Sequence, residues 1–98
     1  MKKLLLIALA SSVLSAPVIA SETPAKLNLC IGCHGQDGNS VVPTYPKLAG
    51  QHAQYLEKQL KDFRSGLRPD PVMRSFAKGL SDQEIHDLAV YFSQQKAQ

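Results

Sequence analysis

Apolar residues in the second half of the chain recur with a helical period. Leu56, Leu60 and Phe63 share one face of a segment running from Gln51 to about Ser65, with Leu67 as a further member and Tyr55 beside the stripe. Glu57 and Lys61, and Lys58 and Asp62, are opposite charges four residues apart on the polar side, and Gly66 is the expected stop. Ile85, Leu88, Ala89 and Phe92 make a second stripe, flanked by Tyr91. It follows Ser81-Asp82-Gln83-Glu84, which reads as a capping box. Pro24 suits the first turn of a short helix reaching about Cys33. Residues 35–50 read as loop, because Gly35, Gly38 and Asn39 break a helix and Pro43 and Pro46 favour extended backbone. Residues 67–80, with Pro69 and Pro71, read as irregular. No segment alternates with the period of a strand, so the expected fold class is all-α, with three main helices joined by loops.

The start of the chain follows a different pattern. Met1-Lys2-Lys3 is basic, Leu4 to Ala10 is a compact apolar run, and Val18-Ile19-Ala20 offers a small-x-small cut. That order is the secretory signal pattern, so residues 1–20 are expected to be a cleaved signal peptide and residues 21–98 one domain. Ser11, Ser12, Ser15 and Pro17 interrupt the run before it is long enough to cross a bilayer. No cysteine lies near the cut to take a lipid. Export places the processed chain in an oxidising compartment, most simply a bacterial periplasm, with no membrane span.

Composition sharpens this picture. The chain has 98 residues, 44% of them hydrophobic, with two Cys and no Trp. Its apolar residues are concentrated in the leader, which leaves a thin core for the rest. Domains of this size usually need a disulfide, a metal or a cofactor. Loss of Lys2 and Lys3 with the leader lowers the net charge from +3 to +1, which removes the support for a nucleic-acid partner. The remaining charge is uneven. Residues 41–80 hold Lys47, Lys58, Lys61, Arg64, Arg68, Arg74 and Lys78 against Glu57, Asp62 and Asp70.

Cys30-Ile31-Gly32-Cys33-His34 carries the chemistry. The spacing C-x-x-C-H is the signature of covalent c-type haem attachment. Two cysteines three apart lie on one side of a helical turn, where their sulfurs can join the two vinyl groups of one porphyrin. The histidine that follows gives an imidazole nitrogen to the iron. Other readings compete. A redox C-x-x-C wants a βαβ setting, which this chain does not offer. A structural zinc site wants four ligands, and Cys30, Cys33 and His34 leave the fourth to a distant His52 or His86. A Cys30–Cys33 disulfide would close a tiny loop and stabilise little.

The sixth position on iron needs a donor. Met73 is the methionine that remains after processing, and its thioether is a suitable soft ligand. His52 and His86 are the rivals. The other ring nitrogen of His34 needs an acceptor, and the proline-interrupted loop offers the Pro46 carbonyl as the candidate. Leu48, Val72, Phe76 and Leu88 are the expected lining.

These residues, together with Pro46-Lys47-Leu48-Ala49-Gly50-Gln51 and Leu88-Ala89-Val90-Tyr91-Phe92, resemble a class I c-type cytochrome. The likeness is to the small monohaem bacterial periplasmic type and to one half of its dihaem tandem relatives. His34-Gly35-x-Asp37-Gly38-Asn39-Ser40 and Leu80-Ser81-Asp82 fit the same group. The resemblance implies a class I fold wrapped around one haem c, with its first and last helices crossing near-perpendicularly. It implies thioether links at Cys30 and Cys33, proximal ligand His34, distal ligand Met73, and the Pro46 carbonyl as acceptor for the His34 N–H.

With both axial positions filled, the iron offers no open site to a substrate. The expected role is therefore a one-electron carrier and not an enzyme, meeting donor and acceptor proteins as a monomer in weak, transient complexes. The basic excess in residues 41–80 would steer acidic partners. The alternatives are a dedicated electron-transfer subunit of an exported oxidoreductase and a non-haem thiol or zinc module.

Overall fold

Every regular element among the described residues is helical. The computed structural model describes residues 2–14 and 23–98. Residues 2–14 take no regular secondary structure and lie exposed. The expected cut after Ala20 falls outside the described residues. No helix among the described residues is long and apolar enough to cross a membrane.

The fold begins with a 3-10 turn, Leu27–Leu29, followed by α1, Ile31–His34. The continuous helix expected from Pro24 to Cys33 is therefore split. Backbone bonds from Leu27 to the Pro24 carbonyl and from Cys30 to the Leu27 carbonyl have the tighter i to i+3 spacing, and neither turn has a side-chain cap to extend it.

Helix α2, Ala53–Ser65, matches the expected span to within two residues. Its two charge pairs form as expected, Lys58 with Asp62 and Lys61 with Glu57 at 3.3 Å. Gly66 ends it in the left-handed conformation, φ 84°. Leu56 and Phe63 are buried, but Leu67 lies beyond the stop and is 75% exposed, so it does not continue the stripe. Helix α4, Asp82–Ser93, starts at the expected capping box. The Ser81 hydroxyl accepts from Glu84 N at 3.1 Å, and Ser81 N donates to the Glu84 carboxylate at 3.0 Å.

A further expectation fails. The segment taken as irregular contains helix α3, Pro71–Ala77. Asp70 is its N-cap, accepting from Met73 N at 2.9 Å, and Pro71 is its first helical residue. Proline breaks a helix in its interior, but in the first turn its missing N–H has no partner to lose. Met73 therefore sits on a capped helix and not in a loop.

The core joins Leu27, Leu56, Phe63, Ala77, Leu80, Ile85, Leu88, Ala89 and Phe92. Helix α2 packs against both α3 and α4, and the N-terminal turn enters through Leu27. Arg64 braces the α3–α4 junction against α2. It donates to the Leu80 carbonyl at 3.0 Å and to the Asp82 carboxylate at 2.7 Å. The bond from Arg64 holds the Asp82 carboxyl below the usual carboxylate range.

Asp70→Ala removes the α3 cap and is expected to lower stability by about 1 kcal/mol. Asp70→Asn should keep most of it, since the amide oxygen still accepts from Met73 N. Urea unfolding of the two variants checks this, and equal midpoints for Ala and wild type would deny the cap any weight.

Candidate functional site

The pentapeptide occupies a single helical turn. Cys30 is the residue before α1, and Cys33 and His34 lie within it. His34 N donates to the Cys30 carbonyl at 2.9 Å, and Gly35, at φ 84°, ends the turn directly after the histidine. Both cysteines are free and partly exposed. Burial pushes the Cys30 thiol up to about 11, so it stays protonated at neutral pH. Redox C-x-x-C motifs work by the opposite shift, which makes a thiolate. Among the described residues no three His, Cys, Asp or Glu side chains converge as a metal site. Two of the competing chemistries thus lack the arrangement they need.

His34 is 6% exposed, the one buried side chain of the pentapeptide. Its Nδ1 lies 2.8 Å from the carbonyl oxygen of Pro46, twelve residues away. A carbonyl only accepts, so Nδ1 carries the proton and donates. The neutral ring then has an unprotonated Nε2, the form in which imidazole binds a metal. Nε2 has no hydrogen-bond partner among the described residues. The donor set therefore suits an iron porphyrin: a nitrogen with its lone pair free, fixed in direction from behind, and two unbridged thiols on the same turn.

The loop between His34 and α2 is what presents the Pro46 carbonyl. Residues 41–47 are exposed, so local burial does not hold them. The loop is closed instead by Gly38, whose carbonyl accepts from Leu48 N at 2.8 Å and Ala49 N at 3.2 Å. Gly38 sits at φ 77°, and a Cβ there would stand 2.8 Å from both Ala49 N and the Phe92 ring. Glycine is required on both counts. Sequence reasoning saw Gly38 as a helix breaker and as part of the stretch after His34, not as the closure of the loop. Its place three residues after the helix-ending Gly35 was the signal that the chain turns back here.

The remaining expected residues divide. Leu48, Met73 and Cys30 are half-buried and pack against the same core. Val72 and Phe76 lie on α3 and are exposed, at 61% and 40%, as are Tyr45 in the loop and Tyr55 on α2. Leu88 is 1% exposed and belongs to the core between the helices, a place that does not conflict with lining a cofactor. The rival ligands are both exposed. His52 is the exposed residue before α2, and the exposed His86 faces Glu57, its Nδ1 3.3 Å from the carboxylate. That contact, with a smaller one from Lys61, lowers the Glu57 carboxyl pKa.

Gly38→Ala is expected to cost more than about 2 kcal/mol, since a left-handed non-glycine residue and a steric clash fall together. Thermal unfolding of the variant checks this. A melting curve matching wild type would show that the loop closes without Gly38.

Comparison with known proteins gives one consistent result. A family model described as Cytochrome c matches residues 25–96. Cytochrome c4 of Thiocapsa roseopersicina is 51% identical over 72 residues, covering 72% of this chain and 37% of that protein. Cytochrome c-554(548) of Halomonas halodenitrificans is 45% identical over 74 residues, covering 72% of this chain and 89% of its own length. The structure of cytochrome c4 from Acidithiobacillus ferrooxidans superposes with a TM-score of 0.63 at 36% identity, covering 76% of this chain and 40% of that one. The chain thus spans about two fifths of the length of the cytochrome c4 relatives it matches.

Proposed function

The chain belongs to the cytochrome c family, and from that premise we propose that it is a one-electron carrier of the class I type. The two cysteines of its C-x-x-C-H turn are consistent with one covalently bound haem c. The observation that carries the reading is His34: buried, in one tautomer, with Nε2 left free by the bond to Pro46. When bound, the haem supplies reversible exchange between Fe(II) and Fe(III).

The chain's own residues supply the rest. Cys30 and Cys33 would hold the group through thioether bonds, and His34 would give its iron the free Nε2. Met73 would supply a thioether sulfur as the other donor to the iron. Helix α3 keeps it half-buried against the core while Val72 and Phe76 on the same helix stay exposed. The Asp70 cap and the Arg64 brace fix that helix from both ends. Ligands held so firmly would change little between oxidation states, which would keep the cost of electron transfer low. A thioether favours the reduced iron and raises the potential relative to two histidines.

The partners are redox proteins that carry acidic groups. Of the seven bases in residues 41–80, Lys58, Lys61 and Arg64 are paired with the protein's own carboxylates. Among the described residues Arg68 before α3, Arg74 on it and Lys78 just after it form no ion pair. Their charge is available to an incoming surface. Residues 1–20 serve as the export signal, and the processed chain works in the periplasm.

Purification of the exported protein from cells able to mature such cytochromes tests the reading. We expect the mass of the processed peptide plus one haem and sharp reduced α and β bands that survive acid–acetone extraction. A bare-peptide mass overturns it. Larger chains that stay bound throughout purification would assign the carrier to a dedicated oxidoreductase complex. Met73→Ala should abolish the weak red-end band of the oxidised protein and lower its potential, whereas His52→Ala and His86→Ala should leave both in place. Electron-transfer rates with an acidic partner should fall as ionic strength rises, and Lys78→Glu should weaken that dependence; a rate indifferent to salt removes the steering role.

A further inference from the structure

Helix α4 holds both ends of the loop that carries Pro46. The Tyr91 hydroxyl donates to the Gln36 carbonyl at 2.6 Å, two residues beyond His34. The Phe92 carbonyl accepts from Gly50 N at 3.0 Å, four residues beyond Pro46. Between these anchors the loop touches itself through Gly38 and meets residues 96–98, where Asn39 donates to the Lys96 carbonyl and accepts from Gln98 N, both at 2.9 Å, and Lys47 donates to the Gln98 carbonyl at 2.6 Å. Pro46 is exposed and has no N–H of its own with which to be tied down. Its carbonyl is kept beside His34 by what its neighbours bond to, and α4 fixes where the loop begins and ends. Tyr91 is itself well set. Its ring stands edge-on to Phe92, with centroids 5.1 Å apart, and its carbonyl accepts from the Gln95 side chain at 3.0 Å.

We infer that the Tyr91 hydroxyl is a positioning group for the His34 imidazole, acting through Gln36 and the 36–50 loop to keep the Pro46 carbonyl on Nδ1. The inference deepens the proposal that His34 binds iron and rests on it. A ring that donates from Nδ1 to a carbonyl is more electron-rich at Nε2. It stabilises the more positive, oxidised iron. Loosening that bond makes the imidazole a poorer donor, so the potential rises and the ring N–H opens to solvent more often. A tyrosine that only supports the fold would change neither quantity.

Tyr91→Phe in the haem-loaded protein removes one oxygen and keeps the ring contact with Phe92. We expect the His34 Nδ1–H, followed by NMR in the reduced state, to exchange about fivefold faster, the effect of one neutral hydrogen bond. The midpoint potential should shift upward in parallel. Ser93→Ala is the control, since it removes another α4 hydroxyl, whose bond at 2.7 Å goes to the Val90 carbonyl and not to the loop. It should leave both readings at the wild-type value. A Tyr91→Phe protein that loses stability but keeps the wild-type exchange rate and potential overturns the inference. A wild-type protein with no haem in its mass overturns the iron-ligand reading instead. The exchange rate of the His34 ring proton in the two chains then still decides whether Tyr91 holds the loop.

Discussion

A single hydrogen bond organises this protein's site: His34 Nδ1 to the Pro46 carbonyl, 2.8 Å long across twelve residues. It settles the tautomer of the ring, and with it which nitrogen has a lone pair to offer. It also joins two pieces of structure that have little else in common, a one-turn helix and an exposed loop. Neither would hold its shape alone. The turn is four residues long, and the loop has no regular structure. Their mutual position is inherited from α4, whose last turn is bonded to the loop at Gln36 and at Gly50.

The same economy runs through the rest of the fold. The core is small, and much of it comes from α4, which contributes Ile85, Leu88, Ala89 and Phe92. Polar contacts do the work of orientation that a larger core would do by packing. Asp70 starts α3, Ser81 and Glu84 start α4, and Arg64 ties the junction between them to α2. Aromatic and aliphatic side chains on the loop, α2 and α3 remain exposed, among them Tyr45, Tyr55, Val72 and Phe76. A covalently held haem is a large, flat, apolar group, and its burial would supply hydrophobic stabilisation that the chain's own side chains do not.

Local chemistry was the part of this structure open to sequence reading. The capping box at Ser81, the i,i+4 charge pairs of α2, the stop at Gly66 and the C-x-x-C-H turn each depend on residues within a few positions of one another. All of them appear where their spacing places them. Helix α3 was equally local and was missed, because two prolines outweighed an N-cap aspartate followed by a proline in the one helical position that tolerates it. Leu67 was misplaced for a different reason. Periodicity says which side chains share a face, but not where the stripe ends or whether that face meets another helix or the surface.

The amino-acid order alone determined the all-helical class and the pentapeptide, since a chain without strand alternation has no sheet to form and a five-residue motif needs no partner to be recognised. It also offered Pro46 as an acceptor, but only the folded chain decided that the carbonyl reaches His34. That contact spans a loop whose closure depends on the missing side chain of Gly38, on Tyr91 and Phe92 more than fifty residues further along, and on the packing of α4 that sets them in place. Interactions between distant segments are fixed by how helices pack in three dimensions, and no window along the chain contains that information.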